Sequence, residues 1–441
     1  MFIGLCEDGA RFVIRANRIG AKTHHLAMHL SLRSARSLLP SLVCMLLACG
    51  ESLGSEPGPN VRDPDATTAD TPLAIVGVNV VPMTSNTVLA DRTIVIRDGV
   101  IQSIEPSASA SVPEGAVVVE GAGRYVMPAL IDMHVHLRSS ELDAYVTAGI
   151  GTVRNMWGFS VLPAWMRDIE AGTRSGPRVV SASPGLDGTP PQWPETVIVT
   201  DANAAREAVL AQVEGGWTYL KSYARLAPAV FDSIMSVARS AGFPVVGHVP
   251  LAVDVRHAID EGMRSIEHFT GYDRALSRTG RGGTFGWVDS DPSRFGSLIE
   301  ATVQAGVWNC PTLTIYSTLA RQQHSAADAN RIVANRRRFV LEIARAGGGL
   351  LVGTDAGIDV VAAGTSIHDE LREFVAAGLS PYQALEGATT NAAKFLGRED
   401  IGRVAVGTQA DVVLLRRNPL MDITVTREID GIVLRGAWRP L

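Results

Sequence analysis

Between residues 130 and 355 the chain alternates short apolar, β-branched runs with stretches of helical periodicity. Strands are expected at Leu130–His136, Gly149–Met156, Arg178–Ser183, Tyr219–Tyr223, Pro244–Val249, Ser265–Phe269, Val307–Thr314 and Leu350–Asp355. The intervening stretches, such as Ala204–Glu214 and Ala229–Ala241, space their apolar residues with a helical period. A strand followed by a helix and another strand builds parallel βα units. Eight of them over about 250 residues is the size of a (β/α)8 TIM barrel in the α/β class.

The flanks have a different texture. Ala74–Val81, Thr93–Ile96, Val100–Ile101 and Val117–Val119 precede the barrel, and Asp411–Leu415 and Ile432–Leu434 follow it. Arg97-Asp98-Gly99 between two of these runs is a hairpin signal. Strands of one style at both ends predict a small β-sandwich built from residues 73–126 and 403–441, with the barrel spanning 127–402. Among 441 residues, 46% are apolar and 19% charged, which excludes a disordered chain. The net charge of −5 leaves no footprint for nucleic acid. Four cysteines are too few for a disulfide scaffold.

Residues 1–48 read as a signal peptide of the lipoprotein type. Arg33 and Arg36 precede an apolar run from Leu38 to Ala48 that is too short to span a bilayer. Leu46-Leu47-Ala48-Cys49-Gly50 resembles a bacterial lipobox, and the Ser/Gly/Pro/Asp-rich stretch 49–72 reads as a flexible tether. These features imply export and lipid anchoring at the cell envelope, in the periplasm or on the outer membrane. They place the only membrane contact at that anchor. Met28 offers a second start that would give a signal of ordinary length, and the choice between Met1 and Met28 stays open.

Polar residues sit at the C-terminal ends of five barrel strands, where such barrels place their chemistry. His134 and His136 end the first strand and share a face at i and i+2. Lys221 ends the fourth, His248 the fifth, His268 the sixth and Asp355 the eighth. Packing alone does not place six such side chains there.

This pattern resembles the amidohydrolase superfamily, and within it the imidazolonepropionase-like and prolidase-like branch that includes Xaa-Pro and Xaa-Arg dipeptidases. The resemblance runs from about Ile75 to Leu441. It rests on Val126–His136, Tyr219–Tyr223, Gly247-His248, Ile266-Glu267-His268, Gly353-Thr354-Asp355, Ala388–Ala393 and Gly407–Asp411. Ala129 stands where the family usually has Gly. The resemblance implies two divalent metal ions, with Zn the leading expectation. His134, His136 and Asp355 would hold one and His248 and His268 the other, bridged by Lys221 carboxylated by CO2. It further implies a hydrolase of amide or dipeptide bonds, with Asp355 as proton shuttle and Tyr223 against the substrate. His368 stands between a substrate contact and a helix cap. A homo-oligomer is compatible with this reading.

Three other readings are weighed against it: a mononuclear cyclic-amide hydrolase, a hydrolase of esters, lactones or aryl amides, and a solute-binding lipoprotein without turnover. Lys221 argues against the first, since a single metal has no use for a bridging carbamate. A proton shuttle argues against the last. Cys310 reads as apolar filler, and the Gly-rich stretch 271–295 as a flexible lid.

Overall fold

A computed structural model describes residues 71–441. The expected signal peptide, Cys49 and all but the last two residues of the tether lie outside the described residues. No described helix is long and apolar enough to cross a membrane.

Both chain ends meet in one sheet. From the N-terminal side come β1 (Leu73–Val80), β2 (Leu89–Arg97), β3 (Val100–Pro106), β4 (Val117–Glu120) and β5 (Tyr125–Pro128). The barrel strands are β6 (Leu130–Val135), β7 (Ile150–Asn155), β8 (Arg178–Asp187), β10 (Tyr219–Ser222), β11 (Val245–Gly247), β12 (Ser265–Glu267) and β13 (Trp308–Cys310), with a two-residue β9 (Val197–Ile198) beside β8. The C-terminal strands are β14 (Val412–Leu415), β15 (Ile429–Leu434) and β16 (Ala437–Pro440). The first sheet runs β16-β15-β14-β5-β1-β2-β3, with β4 also on β1. Antiparallel pairing of Val412–Leu415 with Tyr125–Pro128 joins the two ends of the chain. The two layers expected of a sandwich are therefore one continuous hydrogen-bonded sheet. It folds over a shared apolar core that takes Ile75, Ile94, Ile101, Val126, Leu414 and Val433 from six of its strands.

Seven parallel strands, β6-β7-β8-β10-β11-β12-β13, form a nearly closed barrel. The expected eighth strand, Leu350–Asp355, is an extended segment held by isolated bridges from Leu350 to Asn309 and from Ala356 to Val135. Its inner end is hydrogen-bonded like a strand, with Leu351 N on Asn309 O at 2.9 Å and Met133 N on Val352 O at 2.9 Å. The ladder is irregular at its outer end for a local reason. Thr354 N turns to the Asp132 carboxylate at 3.1 Å, and Asp355 takes φ 60°.

The expected seventh strand, Val307–Thr314, is likewise shortened to Trp308–Cys310. Pro311 has no N–H to give a ladder, Thr312 is left-handed at φ 47°, and a helix starts at Leu313. The stretch read as a flexible lid is folded. Helices Tyr272–Leu276 and Gly283–Val288 and a 3-10 turn Pro292–Arg294 bury Trp287 and Tyr272 against Phe269 and Phe339. The crossover helices follow the apolar period. Helix Pro228–Ser240 buries Val230, Phe231, Ile234, Met235 and Ala238, and Asp201 caps helix Ala202–Glu214 through the amides of Asn203 and Ala204.

Candidate active site

His134 lies on β6 and His136 one residue past its end. Their shared facing brings both to one oxygen, with Nε2 of His134 at 3.3 Å and Nε2 of His136 at 2.9 Å from Asp355 Oδ1. His268 follows β12 and points Nε2 at Asp355 Oδ2, 4.0 Å away. His248 follows β11, with its ring 5.0 Å from that of His268. Lys221 reaches in from β10 and is fully buried. The structure thus gathers five of the six expected ligands around Asp355 or its neighbours, with Lys221 beneath them.

The backbone is strained where it delivers these groups. His268, Phe269, Thr312 and Asp355 all have positive φ, between 47° and 61°. Such residues cost on the order of 1–3 kcal/mol each and persist only where surrounding structure over-determines them. Here the surroundings are visible. Asp132 accepts from the amides of His134 and Thr354 and from the Thr354 hydroxyl at 2.7 Å. The buried Arg336 donates to the carbonyls of His268 and Pro311. Glu370 accepts from the amides of Leu313 and Thr314, both at 2.7 Å, at the start of the helix that follows Thr312.

Two histidines have their second nitrogen fixed. His134 Nδ1 is 2.8 Å from Glu267 Oε2, and His268 Nδ1 is 2.7 Å from Thr312 Oγ1. A carboxylate only accepts, so His134 carries its proton on Nδ1 and presents a bare Nε2 lone pair. That Nε2 is buried and makes no hydrogen bond. Glu267 is itself clamped by Arg154, whose guanidinium reaches Oε1 at 2.9 Å and Oε2 at 3.0 Å, and by Ser265 Oγ. Burial opposes its charge, yet Arg154 and the His134 N–H hold its carboxyl far below the usual range.

Burial pushes the imidazoles of His136, His248 and His268 down, which keeps them neutral. It also opposes ionisation of Asp355, but the neighbouring His268, His134 and His136 outweigh it and hold that carboxyl well below its ordinary value. Burial lowers the Lys221 ammonium to about 8, with Glu267 and Asp355 pulling partly the other way. Neutral imidazole nitrogens around a carboxylate are the donor set of a divalent metal such as Zn. The donor atoms of His134, His268 and Asp355 lie within 4.8 Å of one another, so these residues fit a metal ion.

The cluster forms one side of a cavity of about 550 Å³. Tyr223 lies on its wall with its ring 4.4 Å from that of His248, and Tyr316 and the segment Gly283–Phe285 face it. His368 does not come to the site. It is buried on helix Ser366–Ala376 with Nδ1 3.0 Å from Thr426 Oγ1, and it does not line the cavity. The expected substrate contact there is corrected to a packing role, because the helix turns that face toward the Ile423–Arg427 turn.

Sequence reasoning missed Arg154, Glu267, Thr312 and Asp132. Arg154 had a readable signal, a full charge in the middle of an apolar strand. Glu267 adjoins His268 and was passed over for its neighbour.

Residues 125–439 match the amidohydrolase family. Among curated proteins the chain is 25% identical over 336 residues to adenine deaminase 2 of Rhizobium meliloti, covering 71% of this chain and 49% of that protein. It thus spans about half the length of the curated relatives it matches. Among solved structures, bottromycin amidohydrolase superposes with a TM-score of 0.67 at 25% identity, over 84% of this chain and 87% of that one. A Xaa-Pro dipeptidase with bound methionine superposes with a TM-score of 0.68 at 19% identity, over 84% and 100%.

Proposed function

The chain belongs to the amidohydrolase family, and from the site described above we propose that it hydrolyses carbon–nitrogen bonds of small amides, dipeptides among them, with divalent metal in the barrel mouth. One observation carries this reading: three imidazole nitrogens converge on the Asp355 carboxylate beside a buried lysine, at the floor of a cavity large enough for a dipeptide.

In this reading His134, His136 and Asp355 hold one ion, His248 and His268 hold a second, and Lys221 joins them as its carbamate. At about 8, Lys221 is neutral in roughly a tenth of molecules at pH 7, against about one in several thousand for an ordinary lysine. Only the neutral amine adds to CO2, so burial favours that modification. When bound, the metal supplies Lewis acidity toward the scissile carbonyl and toward water.

The protein's own groups do the rest. Glu267 keeps His134 in the tautomer that presents Nε2, and Thr312 holds the His268 ring in the orientation that does so. Asp355, ionised in the resting site, takes a proton from the attacking water and returns it to the leaving nitrogen, which cannot depart as an amide anion. Tyr223 borders the scissile region from the cavity wall.

Removing metal with a chelator and restoring Zn, Mn or Co against a dipeptide and aryl-amide panel tests this. Turnover that depends on added metal supports it, as does loss of activity in Lys221→Ala with partial recovery in short carboxylic acids. Absence of turnover across the amide panel, with adenine deaminated instead, would favour the second reading that the deaminase relatives suggest. One metal per fully active chain would return the site to a mononuclear account. On the sequence alone, we also propose that Cys49 is lipidated and residues 1–48 removed. An unmodified Cys49 in protein from the native host refutes that.

A further inference from the structure

Beside the ligand cluster the cavity lining is aromatic. Trp157, Phe159, Trp193, Phe285, Tyr223 and Tyr316 line it. They come from four separate connections and the ends of two strands, so no single element's packing explains their meeting. Their rings are held in place. The Trp157 indole N–H donates to Pro194 O at 3.1 Å and the Trp193 N–H donates to the Tyr223 hydroxyl. Trp157 stands edge-on to Tyr223 at 5.1 Å. Gly185 makes room for it, since a Cβ there would lie 2.2 Å from the Trp157 ring. Trp193 is 38% exposed, a large apolar ring at the mouth with its polar edge already satisfied.

Aromatic walls also take cations, and two features argue against that here. Arg281 already stands over Phe285 at 4.2 Å and Arg336 over Tyr316 at 4.0 Å, so those ring faces are occupied by the protein's own cations. The charged side chains on the described wall outside the ligand cluster are Arg138 and Glu195. Arg138 is paired with Asp359 at 2.5 Å, and Glu195 accepts from Ser160 N at 3.2 Å. Arg138 is thus already paired, and Glu195 is exposed, where solvent and salt screen its charge.

We propose that the cavity seats an aromatic or bulky apolar group of the substrate against Trp193 and Trp157, so that the amides hydrolysed carry such a group beside the scissile bond in place of a basic or small one. This rests on the amide-hydrolase reading above. Ring-on-ring contact and the burial that comes with it discriminate by about tenfold or more against a short alkyl tail.

The test uses the full-length metal-loaded enzyme and three carboxylates that share one head and differ in tail: 3-phenylpropanoate, butanoate and 6-aminohexanoate. Calorimetric titration should give 3-phenylpropanoate at least tenfold tighter binding than either of the others. Trp193→Ala, at a partly exposed position, should remove about tenfold of that affinity and leave butanoate unchanged. Gly185→Ala, which displaces Trp157 without deleting it, should weaken the aromatic probe in the same direction. Equal or tighter binding of 6-aminohexanoate, or unchanged 3-phenylpropanoate binding in Trp193→Ala, overturns the proposal. The two readings fail separately. A basic dipeptide turned over faster than an aromatic one keeps the hydrolase and removes the aromatic seat. Selective 3-phenylpropanoate binding by an enzyme that cleaves no amide does the reverse.

Discussion

Replacing Arg154 by Met removes the guanidinium that pairs with the Glu267 carboxylate, deep inside the barrel where both side chains are wholly buried. Glu267 keeps Ser265 Oγ and His134 Nδ1, but neither neutralises it. Breaking a buried pair by removing one partner costs about 3–5 kcal/mol, because the charge left behind is uncompensated. The sign of the pH dependence should also reverse. In the native chain the Glu267 carboxyl sits far below its ordinary 4.5, so its contribution to stability is present above about pH 4.5 and is lost only as strong acid protonates the folded state. In Arg154→Met, burial is opposed only by the His134 and Ser265 hydrogen bonds and the Lys221 ammonium, and we expect it to lift that carboxyl above its unfolded value. The group then destabilises progressively as pH rises through the neutral range. Urea melts at pH 5 and pH 8 should therefore show Arg154→Met losing several kcal/mol at pH 8 and recovering a large part at pH 5. Arg154→Met/Glu267→Leu should regain much of the stability at both pH values, since an apolar pair replaces the ionic one. It should not regain metal affinity, because His134 Nδ1 has lost its acceptor; chelator competition should show about a 10–100-fold weakening. A double variant as unstable as the single refutes the electrostatic account, and one that binds metal like the native enzyme refutes the positioning role of Glu267.

Other perturbations read different parts of the site. Asp355→Asn should lower kcat by at least about a hundredfold with excess metal present, and more for amides than for nitrophenyl esters, whose leaving group needs no proton; equal losses would reduce Asp355 to a ligand. Gly353→Ala should lower metal content measured by elemental analysis, since its Cβ would lie 2.7 Å from His134 N and 2.5 Å from Cys310 Sγ. Burial lifts the Glu370 carboxyl to about 8, so the folded chain holds a proton there that the unfolded chain releases above about pH 4.5. Stability should fall by up to about 1.4 kcal/mol per pH unit between those values, and Glu370→Gln should flatten that slope in melts from pH 5 to pH 8.

The cluster at the barrel mouth was legible because a strand has one simple rule. Alternation puts His134 and His136 on one side, and the barrel puts every strand end on one rim, so five separate positions could be summed without knowing a single contact. The same rule misjudged Leu350–Asp355 and Val307–Thr314, where local chemistry overrides the pattern. Asp132 captures the Thr354 amide, and Pro311 with left-handed Thr312 ends β13 early. Neither is visible from hydrophobic texture, which reports burial and not hydrogen-bond partners. The Gly-rich stretch 271–295 misled for a related reason. Its glycines suggest mobility, yet Asp273 accepts from Gly283 N and Ser277 from Arg281 N, and Trp287 anchors the fold from within.

His368 and Trp193 show where the rule gives out. His368 lies close after Asp355 in sequence, yet the direction of its helix face sends it to Thr426. Trp193 lies far from every ligand in sequence, in the connection between β8 and β9, yet it shares their cavity. Strand ends are fixed by the barrel and carry the groups proposed to act on the bond. The connections above them are free to differ, and here they carry the rings that border the rest of the substrate's space. The strand-end cluster could therefore be read from strand periodicity, while the aromatic lining depends on how separate connections converge, which no local pattern encodes. Residues that strain the backbone, His268, Thr312 and Asp355, sit at the junction of the two. There the rigid rim hands over to the connections, and Arg336 ties both together through the His268 carbonyl on one side and the Tyr316 ring on the other.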